Sequence, residues 1–277
     1  NTGIRRFSGA GPRKKLGRLL LSDGATVANY QPGNFTGTLN ASAWTNSIGA
    51  AGSLAQATGA NQPIVLPFTG QKYGWIPGVA TNYFSTPNAA VNRITGDIDL
   101  RAYVALDDWT PAAYQAIISK FIAAGTFGYE LLVDTASSGK LILVWSQDGT
   151  TSNIVLSTAA TGISDATASW VRATRSASTG DINFYKSADA ITWTQIGTTV
   201  ASAALNIFAS SAEVDVGRRG DTSLTFSGKI YRAQVYNGIN GTLAVDFNAA
   251  DWPETSTNGT TQASSTTGEV WTLNNTG

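Results

Sequence analysis

The sequence predicts an all-β protein, built as an antiparallel two-sheet β-sandwich. Three observations lead there. From Asn82 onward, segments of six to eleven residues with strand composition recur at short, regular spacing. The breaks between them include SSG, QDGT, STGD, SADA, RRGD and NGING. These are turn chemistry, because glycine accepts positive φ and Asx side chains hydrogen-bond their own turn. Finally, no stretch keeps a 3.6-residue apolar period for three turns; the nearest, PAAYQAIISKFI, carries β-branched residues that favour a strand.

In chain order, residues 1–24 read as an extended arm, with Gly at 3, 9, 11, 17 and 24 and Pro12. Residues 25–70 are rich in Gly, Ala, Asn and Thr and read as loop with one or two short strands or a helical turn. Strand segments follow as NYFSTP (82–87), DIDLRAYVAL (97–106), YQAIISKFI (114–122), FGYELLVDT (127–135), GKLILVWSQ (139–147), SNIVLST (152–158), SWVRATRSA (169–177), DINFYKSA (181–188), TWTQIGTTV (192–200), AEVDVGR (212–218), SGKIYRAQVYN (227–237), TLAVDFN (242–248) and GEVWTLN (268–274). Alternation puts Ile182 with Phe184, and Val214 with Val216, on single faces. LILVW at 141–145 is apolar on both faces and predicts a central strand. The count and spacing fit a sandwich. The division is a basic arm and linker over 1–40 and a sandwich over 41–277.

Composition narrows the chemistry. Apolar residues make up 42% of 277, enough for a sizeable core, while charged residues are 13%, below the usual quarter or so. The resulting polar, uncharged surface fits a secreted or virion β-protein. Cysteine is absent, so disulfides and thiolate chemistry are too. Histidine is absent, which removes the commonest general base and metal ligand and excludes Ser-His-Asp and Cys-His catalysis within this sequence. Methionine is missing even at position 1, so this is expected not to be the raw translation product. No apolar run approaches the roughly 18 residues of a membrane span, and LGRLLL at 16–21 is too short and too late for a secretory core. No membrane partner is expected.

The arm has its own signature. Arg5, Arg6, Arg13, Lys14, Lys15 and Arg18 precede the first acid, Asp23. The remainder then holds 12 basic against 18 acidic residues, a formal −6 in a chain of net zero. Such charge can neutralise phosphates, but no aromatic interleaving beyond Phe7 and no reader motif accompanies it, so nucleic acid is not the expected partner. A flexible solvated terminus is one alternative. An arm that orders on a neighbouring subunit is the preferred one, with Leu16, Leu19, Leu20 and Leu21 as its apolar anchor.

Four stretches together resemble the concanavalin A-like lectin/glucanase superfamily in its laminin G-like form. They are SLAQATGANQPIVLP with NYFSTPNAA, ITGDIDLRAYVALDDW through GKLILVWSQDG, SWVRATRSASTGDINFYKSADAITWTQIG, and VDVGRRGDTSLTFSGKIYRAQVYNGI. The tail GTLAVDFNAADW with TGEVWTLN resembles minor tail and other virion proteins of tailed bacteriophages. The resemblance implies a jelly roll of two curved antiparallel sheets, whose rim loops bind glycans, calcium-dependent ligands or protein surfaces. It implies no required cofactor, with Ca²⁺ as the one candidate ion. Its candidate ligands are Asp148, Asp189 and Asp221, each of which also reads as a turn former.

Related glucanases place Glu-x-Asp-x-Glu on one strand, so that alternation gathers three carboxylates for retaining hydrolysis. Here the nearest match is Glu213-Val-Asp215-Val-Gly217, with glycine in the third position. The triad is incomplete, so a structural role, a ligand-binding role and, last, a catalytic one stay open, and the protein is expected not to be an enzyme. Trp75, Trp109, Trp193 and Trp252 lie in or beside predicted loops and are the candidates for stacking on sugar rings, while Trp145 and Trp170 are expected in the core. The expected function is a non-enzymatic phage virion protein, a minor tail protein or adhesin meeting host surface glycans. Its arm would join other virion subunits in a homo-oligomer or symmetric assembly. Capsid decoration and a secreted carbohydrate-binding module are the alternatives.

Overall fold

The computed structural model describes residues 71–275 apart from 136–137 and 254–255, together with two short strands nearer the N-terminus. Those two, β1 (Ala43–Trp44) and β2 (Leu54–Ala55), pair antiparallel, with Ala43 opposite Ala55. The basic arm, its Leu19 and Leu20 anchor, and the boundary at residues 40/41 lie outside the described residues. The compact unit from Gln71 to Gly277 is a two-sheet sandwich.

The first sheet runs β12 (Thr194–Gln195), β11 (Asp181–Ser187), β10 (Ser169–Arg175), β5 (Ile98–Leu106), β15 (Ser227–Asn237) and β16 (Thr242–Asn248). Beside β11 lies β13 (Val200–Ala201), and beside β15 lies β3 (Gly74–Pro77). The second sheet runs β17 (Thr261–Ala263), β18 (Val270–Asn275), β4 (Asn82–Thr86), β14 (Val214–Val216), β6 (Gln115–Ser119), β7 (Tyr129–Val133), β8 (Leu141–Trp145) and β9 (Asn153–Leu156). Every pairing is antiparallel. The predicted all-β sandwich is therefore the architecture observed.

The core follows from alternation. Ile98, Leu100, Ala102 and Val104 of β5 point inward beside Val171 and Ala173 of β10 and Ile182 and Phe184 of β11. Opposite them stand Tyr129, Leu131 and Val133 of β7, Leu141, Leu143 and Trp145 of β8, and Val214 and Val216 of β14. Burying apolar area on this scale, at about 25 cal/mol per Å², is the dominant favourable contribution to folding. Arg175 also points in: its guanidinium lies 3.5 Å from the Trp145 ring centre and donates to the Ala203 and Leu205 carbonyls at 2.9 and 2.6 Å.

Two strand expectations need correction. β8 is not central; it lies next to the edge strand β9. It is buried on both faces because Ile142 and Val144 join Ala116, Phe121 and Leu132 in a second apolar cluster on the sheet's outer side. TWTQIGTTV is not one strand but two short ones, β12 and β13, both paired with β11 and separated by Gly197 at φ 73°. Two strands went unpredicted: β3, whose sequence GWIP reads as a turn, and the polar TQA of β17.

Candidate functional site

The outer face of the first sheet collects charge and aromatic area. On β5 the inward apolar series forces Asp99, Arg101 and Tyr103 outward. Register sets Arg101 opposite Arg172 of β10 and Gln234 of β15, and Arg172 opposite Tyr185 of β11. Two arginines directly opposed would repel. Asp99 resolves this: Arg101 donates to its two oxygens at 3.1 and 2.7 Å, and Arg172 at 2.9 and 2.7 Å. Both guanidinia also donate to Asn240 Oδ1 at 2.8 Å, and the Asn240 amide donates to Asp99 at 3.1 Å. Burial alone would raise the Asp99 pKa, yet the hydrogen bonds and charges of the two guanidinia outweigh it and hold the carboxyl below its ordinary value. Tyr236 lies 4.3 Å from the Arg101 guanidinium, and Trp193 lies 5.7 and 5.3 Å from those of Arg101 and Arg172.

Next to this cluster runs a row of rings. Trp170 stacks on Tyr103 with centroids 5.4 Å apart, Tyr103 meets Tyr231 at 4.8 Å, and Tyr231 meets Tyr73 edge-on at 5.7 Å. Trp75 on β3 pairs in register with Lys229 of β15, whose Nζ sits 4.8 Å from the Tyr73 ring centre. Trp75 is 61% exposed and Tyr73 46%. From β3 through β15 and β5 to β10 the row crosses three inter-strand gaps, about 14 Å at the usual spacing.

Of the four tryptophans proposed from sequence, Trp75 and Trp193 lie on this face. Trp109 and Trp252 do not, which corrects the expectation for both. Trp109 is fully buried, donating its Nε1 to the Thr167 carbonyl at 3.2 Å. Trp252 packs edge-on against Phe84 at 5.1 Å, closing the 3₁₀ turn Ala249–Asp251 over the core. Both leave a strand end and fold back over apolar side chains, where a large ring is best buried. Trp170 is the converse correction. Val171 and Ala173 occupy the inward positions of β10, so Trp170 faces out.

The three aspartates proposed for calcium each serve a turn. Asp148 accepts from the amides of Thr150 and Thr151 at 2.8 and 2.7 Å, and Asp189 from those of Ile191 and Thr192 at 2.9 and 2.8 Å. The two loops share one pattern, Ser-x-Asp-x-x-Thr, in which the serine hydroxyl also donates to the aspartate. Those amide hydrogen bonds hold both carboxyls below the ordinary range, Asp189 at about 2. Asp221 accepts from the Ser223 amide at 3.0 Å. Among the described residues, no three acidic side chains gather as a metal site.

Glu213 and Asp215 sit on the second sheet. Arg218 donates to Asp215 at 3.0 Å, lies 3.9 Å from Glu213, and stacks over Tyr83 at 3.2 Å. Asp215 is buried, its Oδ1 has no hydrogen-bond partner, and burial with the nearby Glu213 charge pushes its pKa well up despite Arg218. A raised acid favours the fold while protonated. Its contribution is present below the unfolded value near 4 and is lost as pH rises from there through neutrality. The unsubstituted protein is therefore expected to lose stability between about pH 5 and 8, and Asp215→Asn to flatten that fall. Urea melts of both proteins across that range would show it, and parallel pH profiles would refute it. Close by, Lys120 is buried and donates to Asn88 and Asn92 Oδ1, each at 3.0 Å, and to the Ala212 carbonyl. Burial, with the Arg93 charge, brings its pKa down to about 8.

No protein-family model and no curated protein sequence matches the chain. Solved structures do match in shape. One, from Bacteroides ovatus ATCC 8483, is described as a carbohydrate binding protein. It superposes with a TM-score of 0.51 at 15% identity, over 80% of this chain and 65% of its own. At that identity the likeness shows the fold alone. The CBM40 of a Ruminococcus gnavus IT-sialidase, bound to α2,3-sialyllactose, is similar at TM-score 0.45 and 13% identity, over 61% of this chain and 91% of its own. A SAP-like pentraxin from Limulus polyphemus is similar at 0.40 and 12%, over 62% and 80%. No described helix is long and apolar enough to cross a membrane.

Tyr73, Tyr103, Tyr231, Arg101, Arg172 and Lys229 were not singled out from sequence, and Trp170 was assigned to the core. Strand parity was the available signal: once Leu100, Ala102, Val171 and Ala173 are assigned inward, Arg101, Tyr103, Trp170 and Arg172 must share the other face.

Proposed function

We propose that this sandwich binds carbohydrate on the outer face of its first sheet and performs no catalysis. The observation that supports this is the aromatic row from Trp75 and Tyr73 through Tyr231 and Tyr103 to Trp170. Ring faces of this kind stack on the C–H faces of sugars, and tyrosine hydroxyls and the indole N–H hydrogen-bond sugar hydroxyls. The non-enzymatic reading is supported by the Glu213 and Asp215 pair, which has no third carboxylate and is engaged by Arg218. In this reading the protein is a virion surface component, a tail adhesin in preference to capsid decoration, with its basic arm tied to neighbouring subunits; that setting rests on the sequence resemblance. A secreted carbohydrate-binding module would use the same face.

The test is glycan-array binding of the unsubstituted protein beside Trp75→Ala and Trp170→Ala. Each substitution is expected to weaken binding about tenfold or more, the worth of one stacking ring. The thermal midpoint of Trp75→Ala should barely move, because the ring is mostly exposed. Retention of full binding by both variants would remove this face from consideration.

A further inference from the structure

The charges on this face are unevenly satisfied. Asp99 is covered by Arg101 and Arg172, and Asp246 is held by Arg232 at 2.7 Å through both oxygens. Three arginines thus neutralise two buried carboxylates. Lys229 has no carboxylate partner among the described residues. Along the strands, Asp107 is bound to the Ser227 hydroxyl at 2.8 Å and makes no ion pair with the lysine. Asp181 stands at the far end of β11, about 20 Å along the sheet from the Trp170 row. The unpaired ammonium lies over Tyr73, and Lys229 stands in register with Trp75; these are the two most exposed rings of the row.

Resting on the carbohydrate-binding reading, we infer that the ligand is an acidic glycan, one carrying a carboxylate that Lys229 receives while Trp75 and Tyr73 take the adjoining ring faces. The chemistry is complementary on both counts. An ammonium held over an aromatic face keeps donors for an incoming oxyanion. Beside the row, Arg101 and Arg172 share the single carboxylate of Asp99, leaving one net positive charge there that favours an anion over a cation. A neutral glycan would leave that ammonium without a charged partner, gaining stacking alone. Sialic acids and uronic acids both supply the carboxylate.

An array of uronic-acid and sialic-acid oligosaccharides, each printed beside its own methyl ester, separates the possibilities. At least one free acid is expected to bind about tenfold more tightly than its ester, the worth of one charge-assisted hydrogen bond, and the gap should narrow as salt rises. Lys229→Ala should abolish the difference between acid and ester, and Lys229→Arg should keep most of it. Preference confined to sialosides or to uronides identifies the source of the carboxylate. Equal binding of acid and ester, still lost in Trp75→Ala, would overturn the acidic preference and leave the aromatic platform standing. Absence of binding to every acid and ester, or binding indifferent to both Trp75→Ala and Trp170→Ala, would overturn both.

Discussion

Asp99→Ala is expected to cost about 3–5 kcal/mol of folding free energy, because it leaves two guanidinia packed against a sheet without their counter-charge. Few single positions in the chain join so many parts. Arg101 sits on the same strand as Asp99, Arg172 on β10, and Asn240 on the turn between β15 and β16, and all three converge on one fully buried carboxylate. With the carboxylate gone, Arg101 and Arg172 face each other across the ladder as like charges. Urea denaturation would measure the loss. Asp99→Asn, which keeps the shape and some hydrogen bonding, should fall in between and guards against a variant too unstable to purify. The pH dependence has a definite sign. The folded carboxyl titrates below its ordinary value, so its contribution is present above the unfolded value near 4 and is lost as pH falls through and below that point. Asp99→Asn should lack that share of the acid sensitivity. A loss under about 1 kcal/mol in Asp99→Ala would mean the cluster is a solvated surface network instead.

Gly217→Glu, which would complete the Glu-x-Asp-x-Glu pattern, is expected to destabilise the protein by more than about 4 kcal/mol and to confer no hydrolysis. Strand alternation alone would set position 217 beside Glu213 and Asp215. The backbone does otherwise. Gly217 has φ 97°, a conformation costing a side chain about 1–2 kcal/mol. A Cβ there would lie 2.1 Å from Ile76 Cδ1 and 3.7 Å from Ile230 Cδ1, in the core and not on the carboxylate face. Overpacking adds about 1–3 kcal/mol, and a buried carboxylate more. Thermal denaturation and a polysaccharide hydrolysis assay test both halves. Gly217→Ala, which carries the strain and clash without the charge, is the fallback if the glutamate variant does not fold. A stable Gly217→Glu protein with hydrolysis that depends on Glu213 would contradict the account.

The strands were legible because their signals are local. DIDLRAYVAL, SWVRATR and DINFYKS alternate, and glycine-bearing turns punctuate them, so existence and approximate bounds follow from a few adjacent residues. GWIP was illegible for the matching reason: glycine and proline speak against a strand, and this one is a short strand beside the first part of β15, ending at its proline. Neighbourhood was hidden too. That β5 lies between β10 and β15, or β14 between β4 and β6, depends on pairing across long sequence separations.

The tryptophans show where the two sources of information divide. Sequence alone determined that this chain makes an antiparallel sandwich and that it lacks histidine and cysteine for the chemistry those residues support. Which rings reach solvent was decided by tertiary structure. Trp109 and Trp252 follow strand ends and could point either way; the apolar ends of the sandwich drew them in. Trp170 looked like core until register gave the inward positions to Val171 and Ala173. A side chain's period along a strand is written in the sequence, but the identity of what lies across from it is set by partners far away in the chain. A binding face, made of such partners, exists only once the sheets have closed.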